Sequence, residues 1–162
     1  MIIIGIDPGL DGAVFKRDLV TDTFTFHDTP TLEIKSGKKK KREYNIALMV
    51  DMLNCFPEKP VVALEKIHSM PGQGVRSMFS MGEGFGTWKG IITALGYELH
   101  LVTPQAWKKE MMQGMGKEKD ASRQKALQLF PQLAEELKLK KHHGRADALL
   151  MAEYLRKKGI KI

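Results

Sequence analysis

The chain is short of the residues that would staple or anchor it. One cysteine, Cys55, stands in 162 residues, which excludes an internal disulfide framework and a thiolate zinc cluster. It falls in an apolar, helix-like stretch, and the expectation is a buried structural thiol. No apolar run approaches membrane-spanning length. The isoleucines at the start are too few for a signal peptide and are followed at once by Asp and Pro, so a cytoplasmic, membrane-free protein is expected. No period of 20–50 residues repeats, which excludes a solenoid or propeller. The length suits one domain over residues 1–162 and is too small for two full ones.

What is present is positive charge. Lys and Arg number 26 against 19 acids, a net +7, which suits a polyanion such as nucleic acid. Its placement is more telling than its sum. Lys38-Lys39-Lys40-Lys41-Arg42 follows Ser36-Gly37, within a segment, Pro30 to Tyr44, that reads as a short hairpin arm. Five like charges repel, so the tip is expected to be mobile when alone. Either it is a solvated loop, or it is a basic finger that contacts phosphates and orders on binding.

Against that charge, the apolar strands deliver acids. Ile2-Ile-Ile-Gly-Ile6 reads as a strand buried on both faces, and it ends in Asp7. Pro8-Gly9 and Asp11-Gly12 then make a turn. Alone, Asp7 is either a turn residue capping local N–H groups or a site residue, because a buried carboxylate is costly unless paired or metal-bound. Ala13–Lys16 and Thr21–His27 continue as strands, giving an antiparallel meander. Asn45 caps a helix with an apolar stripe at Ile46, Met49, Val50 and Leu53. Pro60–Glu65 is a second buried strand, again ending in an acid.

A loop over 69–74 precedes a long helix over 76–95. Gly82, Gly84, Gly86 and Gly90 dot it, and since each costs ~1 kcal/mol against alanine, another backbone is expected close by. Gly96 caps its end, and Tyr97–Val102 is a further strand. Thr103-Pro104 opens a short helix with Trp107, Lys108 and Lys109. The loop 114–119 carries Lys117 and Lys119. Helices are expected over 120–129, 132–140 and 144–157, with Asp147 embedded among apolar positions of the last.

If that last helix packs across the ends of the two strands, Asp7, Glu65 and Asp147 meet, and His143 joins them one turn before Asp147. Carboxylates this close raise one another's pKa unless a divalent cation lies between them. Oxygen-rich donors favour Mg²⁺ or Mn²⁺. Two such ions ~3.5–4 Å apart can clamp the attacking water and the leaving oxygen of a phosphodiester.

Taken together, Ile4-Gly-Ile-Asp-Pro-Gly9, Val62-Ala-Leu-Glu65 and Gly144-Arg-Ala-Asp-Ala-Leu149 resemble the RuvC family of Holliday junction resolvases over nearly the whole chain. The resemblance implies an α/β, RNase H-like fold: a five-stranded mixed sheet, its first three strands antiparallel, with helices on both faces. It implies a homodimer that nicks opposing strands of a four-way junction in branched DNA, leaving 5′-phosphates, with two Mg²⁺ per active site and Mn²⁺ as a substitute. Asp7, Glu65 and Asp147 match the family's metal-binding acids.

The remaining ligand, an Asp or His in the family, stands three residues before the last acid. Here that position is Gly144, with His143 one residue further back as ligand or base and His142 as its competitor. Lys117 and Lys119 fall where the family has a basic residue near the scissile phosphate. Arg76 and Lys89 are candidates to line the same groove. His68 takes the place of an aromatic that stacks on bases at the crossover, a task open also to Met70 or Phe79. The Lys38–Arg42 run and His-His-Gly-Arg-Ala-Asp resemble phage-encoded members, some of which act on a wider range of branched DNA. Three other readings stand beside it: a module that binds branched DNA without cutting it, a nuclease for RNA–DNA hybrids or flaps, and a nucleotide-binding lobe of the actin-like ATPase or sugar-kinase type.

Overall fold

A computed structural model describes residues 1–159. Seven strands and five α-helices follow in the order β1 (Ile2–Asp7), β2 (Ala13–Asp18), β3 (Thr23–Asp28), β4 (Thr31–Ser36), β5 (Lys39–Tyr44), α1 (Ile46–Leu53), β6 (Val61–Glu65), α2 (Val75–Ala94), β7 (Glu98–Val102), α3 (Pro104–Met111), α4 (Ala121–Leu129) and α5 (His143–Lys157). The main sheet has the order β3-β2-β1-β6-β7. Its first three strands are antiparallel, while β1–β6 and β6–β7 are parallel. Strands β4 and β5 pair only with each other.

Alternation along β1 divides the core. Ile2, Ile4 and Ile6 join Val62 and Leu64 of β6 under α1 and α2, packing on Met49, Leu53, Trp88 and Ile92. Ile3 and Ala63 point to the opposite face, into a layer made with α3, α4 and α5. Helices therefore cover both faces of a five-stranded mixed sheet, as the resemblance implied. One position sets how near α5 can come. A Cβ on Gly5 would lie 1.9 Å from the carbonyl oxygen of Ala148, so only glycine permits this approach.

Several caps and turns match the sequence reading. Asn45 accepts a hydrogen bond from the Leu48 amide, and Thr103 accepts one from Ala106. Gly96 ends α2 at φ +66°. Among the described residues, no helix is long and apolar enough to cross a membrane.

Other expectations are corrected. The basic run is not a loop: Lys39–Arg42 lie within β5, in register with Glu33–Ser36 of β4. Neighbouring like charges are tolerated there because successive side chains point to opposite faces, and Lys40 and Lys41 pair with Glu33 and Glu43. Cys55 is exposed, not buried, because α1 stops two residues earlier and the chain turns outward. The helix expected over 132–140 is replaced by a 3₁₀ turn at Pro131–Leu133 and a second at Lys140–His142. Leu133 and Leu137 still reach the core; their spacing imitates a helix without making one.

On α2 only Gly84 meets another backbone, at Pro8. Gly82, Gly86 and Gly90 face open space. Nothing in the sequence singled out Glu153, which is 2% exposed. Both its oxygens are engaged, one by Arg17 and one by Arg156, as a buried carboxylate requires.

Candidate active site

The parallel register that pairs Ile6 with Leu64 leaves the next residues, Asp7 and Glu65, side by side at the C-terminal ends of two adjacent central strands. Both belong to the face that carries α5. That helix brings in Asp147 from a stretch otherwise buried at Ala146, Ala148, Leu149 and Leu150. Three acids from three elements thus share one end of the sheet.

Their electrostatics reflect it. Burial, followed by the charges of Asp147 and Glu65, pushes Asp7 up to about 7, against the opposing pull of the Gly9 amide and Lys108. Burial also raises Glu65, with Asp147 adding to it and the Trp107 indole and Lys108 opposing. Asp147 is raised by burial and held back by the Ser122 hydroxyl, Lys108 and His143.

Two supporting residues escaped the sequence reading. The Trp107 Nε1–H donates to Glu65 Oε1 at 3.0 Å and so fixes its carboxylate. Lys108, beside it on α3, is the cation that acts on all three acids. A signal was available, since α3 begins directly after β7, the strand next to the one that ends in Glu65. A Trp-Lys pair on a short helix nevertheless reads as ordinary amphipathic packing.

The two histidines separate cleanly. His142 is 7% exposed, and its Nδ1 accepts the Leu139 amide at 3.4 Å. Burial and then Arg145 lower its pKa, so it serves as a neutral cap inside the fold. His143 opens onto the site: it lines the groove with Asp7 and the one with Asp147. Gly144 could not take over the donor role where it stands. A Cβ there would sit 2.6 Å from the Asp11 carbonyl oxygen and 3.2 Å from Asp7 Oδ2.

Among the described residues, Asp147 Oδ1 and His143 Nδ1 find no hydrogen-bond partner, though both are sealed from solvent. Unmet polar capacity of this kind calls for an explanation. Hard carboxylate oxygens beside an imidazole, on acids pushed upward, form a donor set that fits a divalent cation. The donors are not gathered into a finished cluster: among the described residues, no group of three or more His, Cys, Asp or Glu side chains is placed to hold one ion. Like charges repel, and the acids share one end of the sheet without closing around a point.

The basic candidates distribute unevenly around this centre. Lys117 and Lys119 line the Asp147–His143 groove together with Lys108 and Ser122. Arg76 lies in a different groove, between the β4–β5 hairpin and the start of α2, with Lys39–Arg42 and Phe79. Lys89 lines neither, being thirteen residues or ~20 Å further along α2. Lys38 occupies the hairpin turn. Arg42 is turned onto the β1–β2 turn, donating to the Leu10 carbonyl oxygen and to Asp11. His68 lies exposed on the loop after β6, and Met70 and Phe79 are 54% and 75% exposed, so all three are free to meet a base.

No model of a known protein family matches the chain. A stretch of 85 residues, 52% of the chain, is 36% identical to "Holliday junction resolvase MOC1, chloroplastic" of Chlamydomonas reinhardtii. That stretch is 10% of the relative's length. Among solved structures, Thermus thermophilus RuvC in complex with a Holliday junction substrate matches at TM-score 0.56 and 15% identity, over 98% of this chain and 96% of that one. Another Thermus thermophilus RuvC structure matches at TM-score 0.53 and 16% identity, over 98% and 97%. Over 98% of its length, then, the chain has the RNase H-like fold found in RuvC.

Proposed function

We propose that this protein is a structure-selective DNA endonuclease, a crossover junction endodeoxyribonuclease that resolves four-way junctions by paired phosphodiester hydrolysis. One observation carries the reading: Asp7, Glu65 and Asp147 stand together at one end of the sheet, buried and with their pKa values raised, in a chain whose net charge is positive. Binding DNA gains nothing from buried negative charge, whereas phosphoryl hydrolysis does when cations are present. The names of the relatives and the shared fold point the same way.

Asp7, Glu65, Asp147 and His143 would hold divalent cations, Mg²⁺ or Mn²⁺, two per site. When bound, such ions lower the pKa of water and offset charge on the phosphorus oxygens. The chain's own residues do the rest. Trp107 holds Glu65 in one orientation. Lys108, Lys117 and Lys119 line the approach to Asp147 and would stabilise the additional negative charge of the pentacovalent phosphorus. Lys39–Lys41 and Arg76 would grip phosphates of a DNA arm.

A homodimer with one site per subunit is part of the proposal. Gly82, Gly86 and Gly90 repeat every fourth residue on α2 with open space beside them, a flat helix face suited to close packing against a second copy. An exposed, unpaired Cys55 suits a reducing, cytoplasmic setting. A second reading, cleavage of a broader set of branched DNA, is favoured by one feature: the basic hairpin, which extends beyond the sheet.

The test is cleavage of synthetic four-way, three-way and linear duplexes with Mg²⁺, Mn²⁺ or EDTA. Paired, metal-dependent nicks near the branch point are expected. Equal cutting of three-way DNA would favour the broader reading, and equal cutting of linear duplex would sink junction selectivity.

A further inference from the structure

The β4–β5 hairpin is separate from the main sheet, yet it is tied to the acid site at two points. The Arg42 Nη2–H group donates to the Leu10 carbonyl oxygen at 2.7 Å and to Asp11 Oδ1 at 2.8 Å. The Tyr44 hydroxyl lies 2.9 Å from the Ser80 carbonyl oxygen and 3.3 Å from that of Pro8. All of Pro8, Leu10 and Asp11 belong to the turn that leaves Asp7.

That turn is tight and leaves little slack. The Gly12 amide donates to Gly9 oxygen at 2.9 Å, and Thr29 closes onto Gly12 oxygen at 3.0 Å. A Cβ on Gly12 would touch the Asp7 carbonyl oxygen at 2.1 Å, and one on Gly144, the second residue of α5, would touch the Asp11 carbonyl oxygen. A displacement at Leu10–Asp11 is therefore passed to Asp7 and to the start of α5, where His143 stands.

Beyond Arg42, the hairpin and the first turns of α2 form a groove of about 950 Å³, lined by Lys39, Lys40, Lys41 and Arg76 and by the exposed ring of Phe79. Cations outnumber the two acids there, Glu43 and Glu83, and one aromatic offers a stacking face. That is the chemistry of a nucleic-acid strand.

We propose that Arg42 is a positioning residue: it links the strand-binding hairpin to the Leu10–Asp11 turn, so that DNA held in the groove sets the position of Asp7. The proposal rests on the nuclease reading above and adds a coupling within it. Arg42 and Asp11 are 46% and 75% exposed. A pair so placed contributes little to stability, so variants at either residue fold, and the link is weak enough to respond to a ligand.

Asp11 makes the test sharp. If Arg42 were a phosphate contact, removing a neighbouring acid would free it and tighten DNA binding. If Arg42 is a link, Asp11→Ala removes one of its two hydrogen bonds and leaves the one to the Leu10 carbonyl oxygen, so it weakens the link that Arg42→Ala removes. The experiment measures single-turnover cleavage of a synthetic four-way junction at saturation, and junction affinity against salt. Arg42→Ala is expected to slow cleavage roughly 10-fold through misplacement of the site, and Asp11→Ala to slow it in the same direction by less. Affinity should stay within about twofold, with an unchanged salt slope.

The double variant should be no slower than Arg42→Ala, and Arg42→Lys should recover part of the rate. Weaker binding with a slope reduced by about 1 in Arg42→Ala, together with tighter binding in Asp11→Ala, would overturn the proposal. So would wild-type rates in both. If the wild-type protein cuts no branched DNA, the nuclease reading fails on its own. The link is then read from hydrogen exchange at the Gly12 amide, expected to be faster in both variants; unchanged exchange would overturn it.

Discussion

The acid site and the basic hairpin are opposites in almost every physical respect. The site sits at the ends of central strands, its acids pressed on by core packing and one another's charge. The hairpin pairs only with itself, carries its charge in water and joins the rest through Arg42 and Tyr44. The first costs the fold stability, and the second costs it little. Under the proposed function, chemistry would fall at the packed end of the sheet and substrate capture on a hairpin outside it.

The comparison predicts that substitutions on the two sides have different signatures. The largest effect is expected at Asp7. Asp7→Asn should lower cleavage by more than ~10²-fold while junction affinity stays close to wild type, read by cleavage and gel shift side by side. With metal chelated at pH 8, the same variant should be more stable than wild type by roughly 2–4 kcal/mol, in denaturant titrations, because a charged carboxylate is removed from a place that disfavours it.

The pH dependence has a definite sign. Asp7 titrates at about 7 in the fold and near 3.8 unfolded, so the folded state binds more protons between these values. Stability of the chelated protein should therefore fall as pH rises from about 4 to about 7 and then level off. Asp7→Asn should flatten that fall, and Mn²⁺ should counter it at pH 7 and above. A wild-type profile that rises over this range would break the contrast.

Next in size is Gly5→Val, which drives a side chain into the Ala148 carbonyl and should cost at least ~3 kcal/mol or prevent folding. It tests the stiffness of the scaffold rather than its charge. On the hairpin side, replacing Lys39, Lys40 and Lys41 with alanine should weaken junction binding about tenfold or more and reduce the salt slope by up to ~3, with thermal stability nearly unchanged. The smallest effect belongs to Cys55→Ser, expected within ~0.5 kcal/mol of wild type because the thiol is exposed.

The same contrast explains what could be read without coordinates. Asp7, Glu65 and Asp147 were legible because each interrupts an apolar run, and burial makes such an acid expensive enough to need a reason. The strands that end in them were legible for the same cause. The hairpin's direction was visible, but not that its lysines form a strand, because charge repulsion and strand pairing act against each other and the sequence shows only the first. Gly84 and Gly86 look alike on paper; one touches Pro8 and the other touches nothing. Trp107 and Lys108 were missed because their role depends on β7 lying beside β6, a matter of topology. His142 and His143 look alike in the sequence; the hydrogen bond that His142 Nδ1 accepts from the Leu139 amide depends on the 3₁₀ turn around it.

Gly144 has a consequence for anyone who would re-engineer this centre. With the Asp11 carbonyl 2.6 Å from where a Cβ would begin, an aspartate or histidine introduced there must first push the β1–β2 turn aside, and Asp7 with it. A side chain at position 144 would therefore need a paired relaxation of the turn, so backbone clearance would decide what can stand there before coordination chemistry has any say.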